Sequence, residues 1–337
     1  MIGYYIHHHG RGHLHRAIAI SAHLHQPVTV LTSLDVPSQH PFAGVVTLPR
    51  DDAGPRRPDP TASGALHWAP HHDDGLAARM ALVARWIEQT RPSAMVVDVS
   101  MEVATLARLL GVPVVVMALP GERTDAPHLT VHQLADHLIA AWPPGAYEPA
   151  WLRAHAYKTS YVGGISVFAH RPRPPAPGRG GPTRILVLGG SGGSAVDQAT
   201  VDACAAALPE MDWRTLGLTG GPVSADPWPD VCAADVVVTH AGQGCIADVA
   251  AARRPAIVLA QRRPFGEQDA TADTLARNGL AVVVREWPAH DAWPGLVDRA
   301  LRLDPERWQS WQTEDAAVRA ARAIEATADR LAPAGVP

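Results

Sequence analysis

Little in this chain points to an oxidised, membrane-bound or nucleic-acid-bound protein. The three cysteines, Cys204, Cys232 and Cys245, are odd in number and show no CxxC spacing, which argues against a disulfide framework and a structural zinc site. A reducing, cytoplasmic setting is expected. Apart from one short proline-arginine stretch there is no basic run, and the formal net charge is -4. Electrostatic capture of nucleic acid or anionic membrane is therefore not expected. No stretch approaches the roughly 18 uninterrupted apolar residues of a membrane span, and no basic region leads into an apolar one at the N-terminus. Neither export nor membrane spanning is expected. Lysine is nearly missing too, with Lys158 alone, a coding bias without chemical meaning.

What is present is a compact composition, 47% hydrophobic and 18% charged over 337 residues. That length exceeds what one hydrophobic core usually fills, so two domains are expected. Short β-branched runs at 4–6, 28–31, 45–48, 94–98 and 113–119 alternate with helical spacing at 13–25, 76–90 and 100–110. Such alternation implies a parallel sheet with right-handed crossovers. Composition then turns to proline, glycine and arginine, and a second alternation begins at "RILVLGG" (184–190). The expected division is an N-terminal Rossmann-like domain over 1–168, a linker over 169–183, a second Rossmann-like domain over 184–304, and a helical stretch over 305–337 that packs back. Residues 49–75 are too long and irregular for an ordinary connection. A substrate lid and a poorly ordered insertion both fit them.

Three stretches carry chemistry. "HHHGRGHLHRA" (7–17) opens with three histidines after strand-like residues. In an extended strand His7 and His9 share one face and His8 takes the other, so no compact metal ligand set is expected without a bend. As a dinucleotide fingerprint the stretch is incomplete, since His15 stands at the third glycine and Asp35 is the nearest acidic residue. What remains is a strand ending in a glycine turn, where the backbone at Gly12 and the imidazole of His13 face the strand ends. A histidine that merely caps the helix is the plain alternative. "GGSGGS" (189–194) allows close backbone approach to phosphate. It lacks the P-loop lysine, so hydrolysis of ATP or GTP by that route is not expected. In "DVVVTHAGQGCIADVAAARRPAIVLAQRRPFGEQ" (235–268) a strand delivers His240 into a turn at Gly242 and Gly244, and Asp248 follows one turn into a helix. Helix N–H groups there suit a diphosphate, and a carboxylate suits ribose hydroxyls; an ordinary βαβ unit with solvated turns is the plain alternative.

The pattern "THAGQG…AD…P.IVLAQ…FGEQ" resembles the donor-binding half of GT-B glycosyltransferases, particularly family 28 and the related N-acetylglucosaminyltransferases of the peptidoglycan lipid intermediate. "HHGRGHLHRA" and "GGSGGS" resemble the glycine turns of the same group. The resemblance implies an α/β GT-B fold, with two Rossmann-like domains facing across a cleft. It further implies that Ser191, Gly192, Gly193, His240, Gly242, Gln243 and Gly244 lie near the donor phosphates. Asp248 takes a position, more often glutamate, that holds ribose, and Glu267 and Gln268 match a pair at the donor sugar. His13 faces the acceptor. Cys245 and Thr271 depart from the small hydroxyl residue and the asparagine usual at their positions.

The activity so implied moves a sugar from a UDP- or dTDP-sugar to a small-molecule or lipid-linked acceptor. The acceptor hydroxyl must lose a proton while the departing diphosphate gathers charge. His13 is the first choice of base, because imidazole titrates near neutrality. Asp98, at the end of the strand "AMVVD", competes. Glu102 reads as a dipole-stabilised surface residue, while "PGERTD" (120–125) and His128 border the acceptor pocket by position. No Asp-x-Asp motif occurs, so metal independence, no cofactor beyond the nucleotide sugar, and inversion at the sugar are expected. A nucleotide-sugar 2-epimerase would need further acid–base carboxylates, for which no set stands out. A non-catalytic GT-B accessory protein would tolerate loss of Asp248 and Gln268, yet both are present.

Overall fold

The computed structural model describes residues 1–54, 58–174, 181–190, 193–194 and 196–332. Among these, twelve strands form two sheets in which every pair is parallel. The first holds β1 (Ile2–Ile6), β2 (Val28–Thr32), β3 (Gly44–Thr47), β4 (Ala94–Asp98), β5 (Val114–Ala118), β6 (His137–Ala140) and β7 (Thr159–Tyr161), in the order β3-β2-β1-β4-β5-β6-β7. The second holds β8 (Thr183–Leu188), β9 (Met211–Leu216), β10 (Val236–His240), β11 (Ala256–Leu259) and β12 (Val282–Val284), in the order β12-β11-β10-β8-β9. Helices cover both faces, so β1, β2, β4 and β5 are buried along their whole length. Their continuous Val/Ile/Leu character is the composition such strands need.

Strand order reverses between β1 and β4 in the first sheet and between β8 and β10 in the second. Ligands of open parallel sheets bind outside the carboxyl ends at such switch points. His7 to His13 follow β1, Asp98 ends β4, Gly189 and Gly190 follow β8, and His240 ends β10. The chain thus delivers its unusual residues to the two reversal points.

Near the C-terminus, Pro305–Trp311 crosses with the Trp308 Nε1–H donating to the Arg254 carbonyl at 2.9 Å. The helix Ala316–Arg330 then packs on the first sheet. Its Ala316, Ala320, Ala321 and Ile324 share one core with Ile2, Tyr4 and Ile20. Small side chains on that face let the helix approach closely.

Two strands, β6 and β7, and the helix Ala126–Leu134 lie where no element was expected. They are short and rich in His, Thr and Ser. Within 49–75 no strand or helix occurs among the described residues until the helix Asp74–Thr90. This segment is held by specific bonds. The Trp68 Nε1–H donates to the Asp51 carbonyl at 2.6 Å, and Glu102 Oε1 accepts from the backbone N–H of His67 (2.8 Å) and Trp68 (3.1 Å). Glu102 is therefore an anchor for the segment, and its reading as a mere surface residue is corrected.

Candidate active site

On the first half, β1 stops at Ile6 and Gly10 turns the chain with φ +95°. The helix Gly12–Ser21 then starts, with His13 in its first turn and Arg16 one turn later. His13 Nδ1 lies 2.9 Å from Asp98 Oδ1. Arg16 grips the same carboxylate, Nε to Oδ2 at 2.9 Å and Nη2 to Oδ1 at 2.6 Å. Asp98 is fully buried and Arg16 nearly so. Burial alone would raise the Asp98 carboxyl, but Arg16 and His13 outweigh it and hold it at about 2. Both oxygens of Asp98 are engaged, which favours His13 over it as the base. Arg16 Nη2 also lies 3.0 Å from His13 Nδ1, which therefore sits between Asp98 and Arg16, while His13 Nε2 makes no hydrogen bond among the described residues. Arg16 was overlooked in the sequence, although its three-residue spacing from His13 sets both on one helix face.

The second half supplies the opposite wall. Ser191 and Gly192 lie outside the described residues. Gly193 takes φ +88°, a conformation that requires glycine. The Ser194 hydroxyl lies 2.8 Å from His240 Nε2, and the Gln261 side-chain nitrogen lies 3.1 Å from it. Burial pushes His240 down to about 4, and Arg263 adds to the effect. Without a ligand its imidazole is therefore neutral near pH 7. The cation beside the glycine loop is Arg263, whose Nη2 donates to the Gly193 carbonyl at 3.0 Å. The helix Gln243–Ala252 starts after Gly242. A Cβ added at Gly12, Gly242 or Gly244 would meet nothing within 4 Å, so these backbones face open space.

Asp248 sits within that helix and accepts from the Ser166 hydroxyl at 2.6 Å. Burial pushes its carboxyl up to about 7, against the opposing effect of Ser166. Glu267 and Gln268 are committed elsewhere. Arg123 Nη2 reaches Glu267 Oε2 at 3.3 Å, and Gln268 Oε1 accepts from the Gln261 N–H at 3.0 Å. The first bond ties the two halves, and the second holds the loop after β11.

Other contacts also cross between the halves. Arg16 Nη1 donates to Gln243 Oε1 at 2.8 Å, leaving the buried Gln243 Nε2 without a partner among the described residues. The Glu122 N–H donates to the Phe265 carbonyl at 2.7 Å. The Phe265 ring packs on His128 and His67, with centroids at 4.8 and 5.4 Å. Asp125 binds both histidines, to His67 Nε2 at 2.6 Å and to His128 Nδ1. Burial pushes His128 down to about 4. A small cavity between the halves is lined by Pro120, Trp142, Tyr147, Gln243, Thr271 and Trp311.

The separation expected of His7, His8 and His9 is not what the structure shows. They follow the strand in a bend, and their ring centroids lie 4.4, 4.5 and 4.4 Å apart.

Residues 224–293 match the glycosyltransferase family 28 C-terminal domain. The chain is 30% identical over 228 residues to the UDP-N-acetylglucosamine--N-acetylmuramyl-(pentapeptide) pyrophosphoryl-undecaprenol N-acetylglucosamine transferase of Acidiphilium cryptum (strain JF-5), covering 59% of this chain and 58% of that protein. The transferase of the same description from Paenarthrobacter aurescens (strain TC1) is 30% identical over 142 residues, covering 34% of this chain and 38% of its own. The match thus spans between 38% and 58% of these curated relatives. Among solved structures, the glycotransferase of kitacinnamycin superposes with a TM-score of 0.66 at 19% identity, covering 98% of this chain and 99% of that one. The calicheamicin glycosyltransferase gives 0.65 at 17%, covering 98% and 99%. MurG of Acinetobacter baumannii gives 0.63 at 18%, covering 96% and 99%. The chain is family 28-like and has the GT-B fold of two facing Rossmann-like domains.

Proposed function

We propose that this chain is a glycosyltransferase that moves a sugar from a UDP- or dTDP-sugar to a hydroxyl of a small-molecule acceptor, with inversion and without a metal on the diphosphate. The observation that carries the reading is His13, held through Nδ1 by buried Asp98 with Nε2 unbonded, beside a helix start in the half that matches the family 28 domain. His13 Nε2 takes the proton of the acceptor hydroxyl as its oxygen forms the bond to the anomeric carbon. The bond from that carbon to the diphosphate breaks, and the nucleoside diphosphate leaves with the electron pair. In the tautomer this step needs, Nδ1–H donates to Asp98 instead of Nδ1 accepting from Arg16, and the ionised carboxylate stabilises the imidazolium that forms. Backbone N–H groups at 242–244 and Arg263 receive the departing charge. Gln243 Nε2 is a further unused donor on that turn. Asp248 accepts from ribose.

A specialised-metabolite acceptor is favoured over a lipid-linked one. The kitacinnamycin and calicheamicin enzymes align over 98% of this chain. The cysteines are all unpaired, which supports a reducing compartment. Among the described residues no helix is long and apolar enough to cross a membrane.

The test is incubation with UDP- and dTDP-sugars and a panel of hydroxylated aglycones. Nucleoside diphosphate release that depends on acceptor, with inverted anomeric configuration in the product, is expected. Failure of both nucleotides to bind, or retention at the sugar, overturns the reading.

A further inference from the structure

The three consecutive histidines play no part in the transfer just described. β1 ends at Ile6, and the bend that follows gathers the three imidazoles into a near-equilateral triangle with the first two stacked. Two carboxylates of the 49–75 segment face this triangle. His7 Nε2 lies 3.6 Å from Asp51 Oδ2, and His8 Nδ1 lies 3.7 Å from Asp51 Oδ1. His8 Nε2 and His9 Nε2 lie 3.1 and 3.4 Å from Asp52 Oδ2. Single ligand atoms of the three histidines lie within 4.8 Å of one another, and so do those of His8, Asp51 and Asp52.

The cluster is not confined to the surface: the His8 side chain is only 2% exposed, and its Nε2 lies against Asp52 Oδ2. Neutral imidazole is the form that binds metal.

We propose that His7, His8 and His9, with Asp51 and Asp52, bind one divalent transition-metal ion of the zinc class and so pin the 49–75 segment to the end of β1. Imidazole nitrogens with carboxylate oxygen form the donor set that zinc and cobalt accept. The position is on the acceptor side, apart from the glycine loops assigned to the diphosphate. Asp51 is positioned by buried Arg79, whose Nε lies 3.4 Å away and whose guanidinium also binds Tyr5 (2.7 Å) and Ser33 (2.6 Å). Arg79 stays as outer-shell support. Exposed Arg50, by contrast, holds Asp52 through Nε at 2.8 Å and Nη2 at 2.7 Å. It competes with the ion for that carboxylate.

That competition gives the test opposite signs. The full chain, freed of metal by EDTA, is titrated with Co2+ and followed by its visible ligand-field absorption, with Zn2+ as competitor. A saturable signal displaced by Zn2+ is expected. His9→Ala and Asp52→Asn each weaken Co2+ binding by about 10- to 100-fold, and Arg50→Ala tightens it. His9 and Arg50 side chains are more than half exposed, so the fold survives their replacement, and a thermal melt verifies this. Absence of a saturable signal overturns the proposal. Asp52→Asn binding like the parent also overturns it, because an adventitious histidine triplet ignores the carboxylates. Zn2+ is further expected to slow proteolytic cleavage within 49–75, and unchanged cleavage overturns the pinning.

Discussion

Nδ1 of His13 lies 2.9 Å from Oδ1 of Asp98, joining the first turn of a helix to the last residue of a neighbouring strand. The pair has different requirements at its two ends. His13→Ala removes the proposed proton acceptor and should lower kcat by ~10²–10⁴, leaving nucleotide affinity close to that of the parent. Asp98→Asn is isosteric but removes the charge facing both His13 and Arg16, and should also depress kcat. Steady-state kinetics with a calorimetric measurement of UDP binding checks both. Loss of nucleotide affinity in step with kcat would assign His13 to the donor instead.

The same carboxylate governs acid stability. Its folded-state value of about 2 lies below the ordinary 3.8. A depressed carboxyl stabilises the fold above its unfolded value, and that contribution is lost as pH falls through the folded one. The difference corresponds to about 2 kcal/mol. Asp98→Asn alone leaves Arg16 buried and unpaired, a cost of about 3–5 kcal/mol. The double variant Asp98→Asn/Arg16→Met removes both charges. Urea unfolding between pH about 4 and about 3 should therefore be less acid-sensitive in the double variant than in the parent.

Much of the fold was readable from period and composition, because buried parallel strands such as "AMVVD" and "PVVVMAL" are continuous apolar runs that little else resembles. β6 and β7 escaped because "HLIA" and "TSY" are too short and polar to stand out. In the site, His13 and His240 stood out at a helix start and a strand end, and Asp248 one turn into a helix. Their partners did not. Arg16, Arg263 and Ser166 act through spatial contacts from helix or loop positions that no local pattern distinguishes. The convergence of His7, His8 and His9 depends on β1 stopping at Ile6, a one-residue boundary that decides whether alternate side chains diverge or meet.

Arg263 provides a test of where the diphosphate lies. Its Nη2 donates to the Gly193 carbonyl at 3.0 Å, while His240 beside it is neutral. Arg263→Ala should weaken binding of UDP or dTDP by about 10- to 100-fold, from charge-assisted bonds of ~1.5–3 kcal/mol. Uridine or thymidine affinity should be unchanged. Equal losses for nucleoside and nucleotide would move Arg263 away from the phosphates.

The contact between the halves has its own test at Gly121. Its φ is +100°, and an added Cβ would lie 2.2 Å from the Phe265 carbonyl oxygen. Gly145 has a comparable φ of +77° but open space around it, so Gly145→Ala isolates the backbone cost. Gly121→Ala should be less stable than Gly145→Ala by about 1–3 kcal/mol in denaturant unfolding. Small-angle scattering should show its two halves further apart.

Asp248 sets stability against binding. Burial raises its carboxyl from 3.8 to about 7, the reverse of Asp98. A raised carboxyl stabilises the fold fully below its unfolded value, and this advantage is lost as pH rises through the folded one. The parent therefore loses stability across the window from about 4 to about 7, where the unfolded chain ionises Asp248 and the folded chain resists. Asp248→Asn cannot ionise. It should flatten that part of the pH profile and melt higher than the parent above pH about 7. The amide offers a weaker acceptor to ribose hydroxyls, so UDP or dTDP affinity should fall by about 10- to 100-fold. Thermal melts across pH, paired with calorimetric titration of the nucleotide, read both effects on one variant. If stability rises without loss of affinity, the carboxylate serves the fold alone and ribose is held elsewhere.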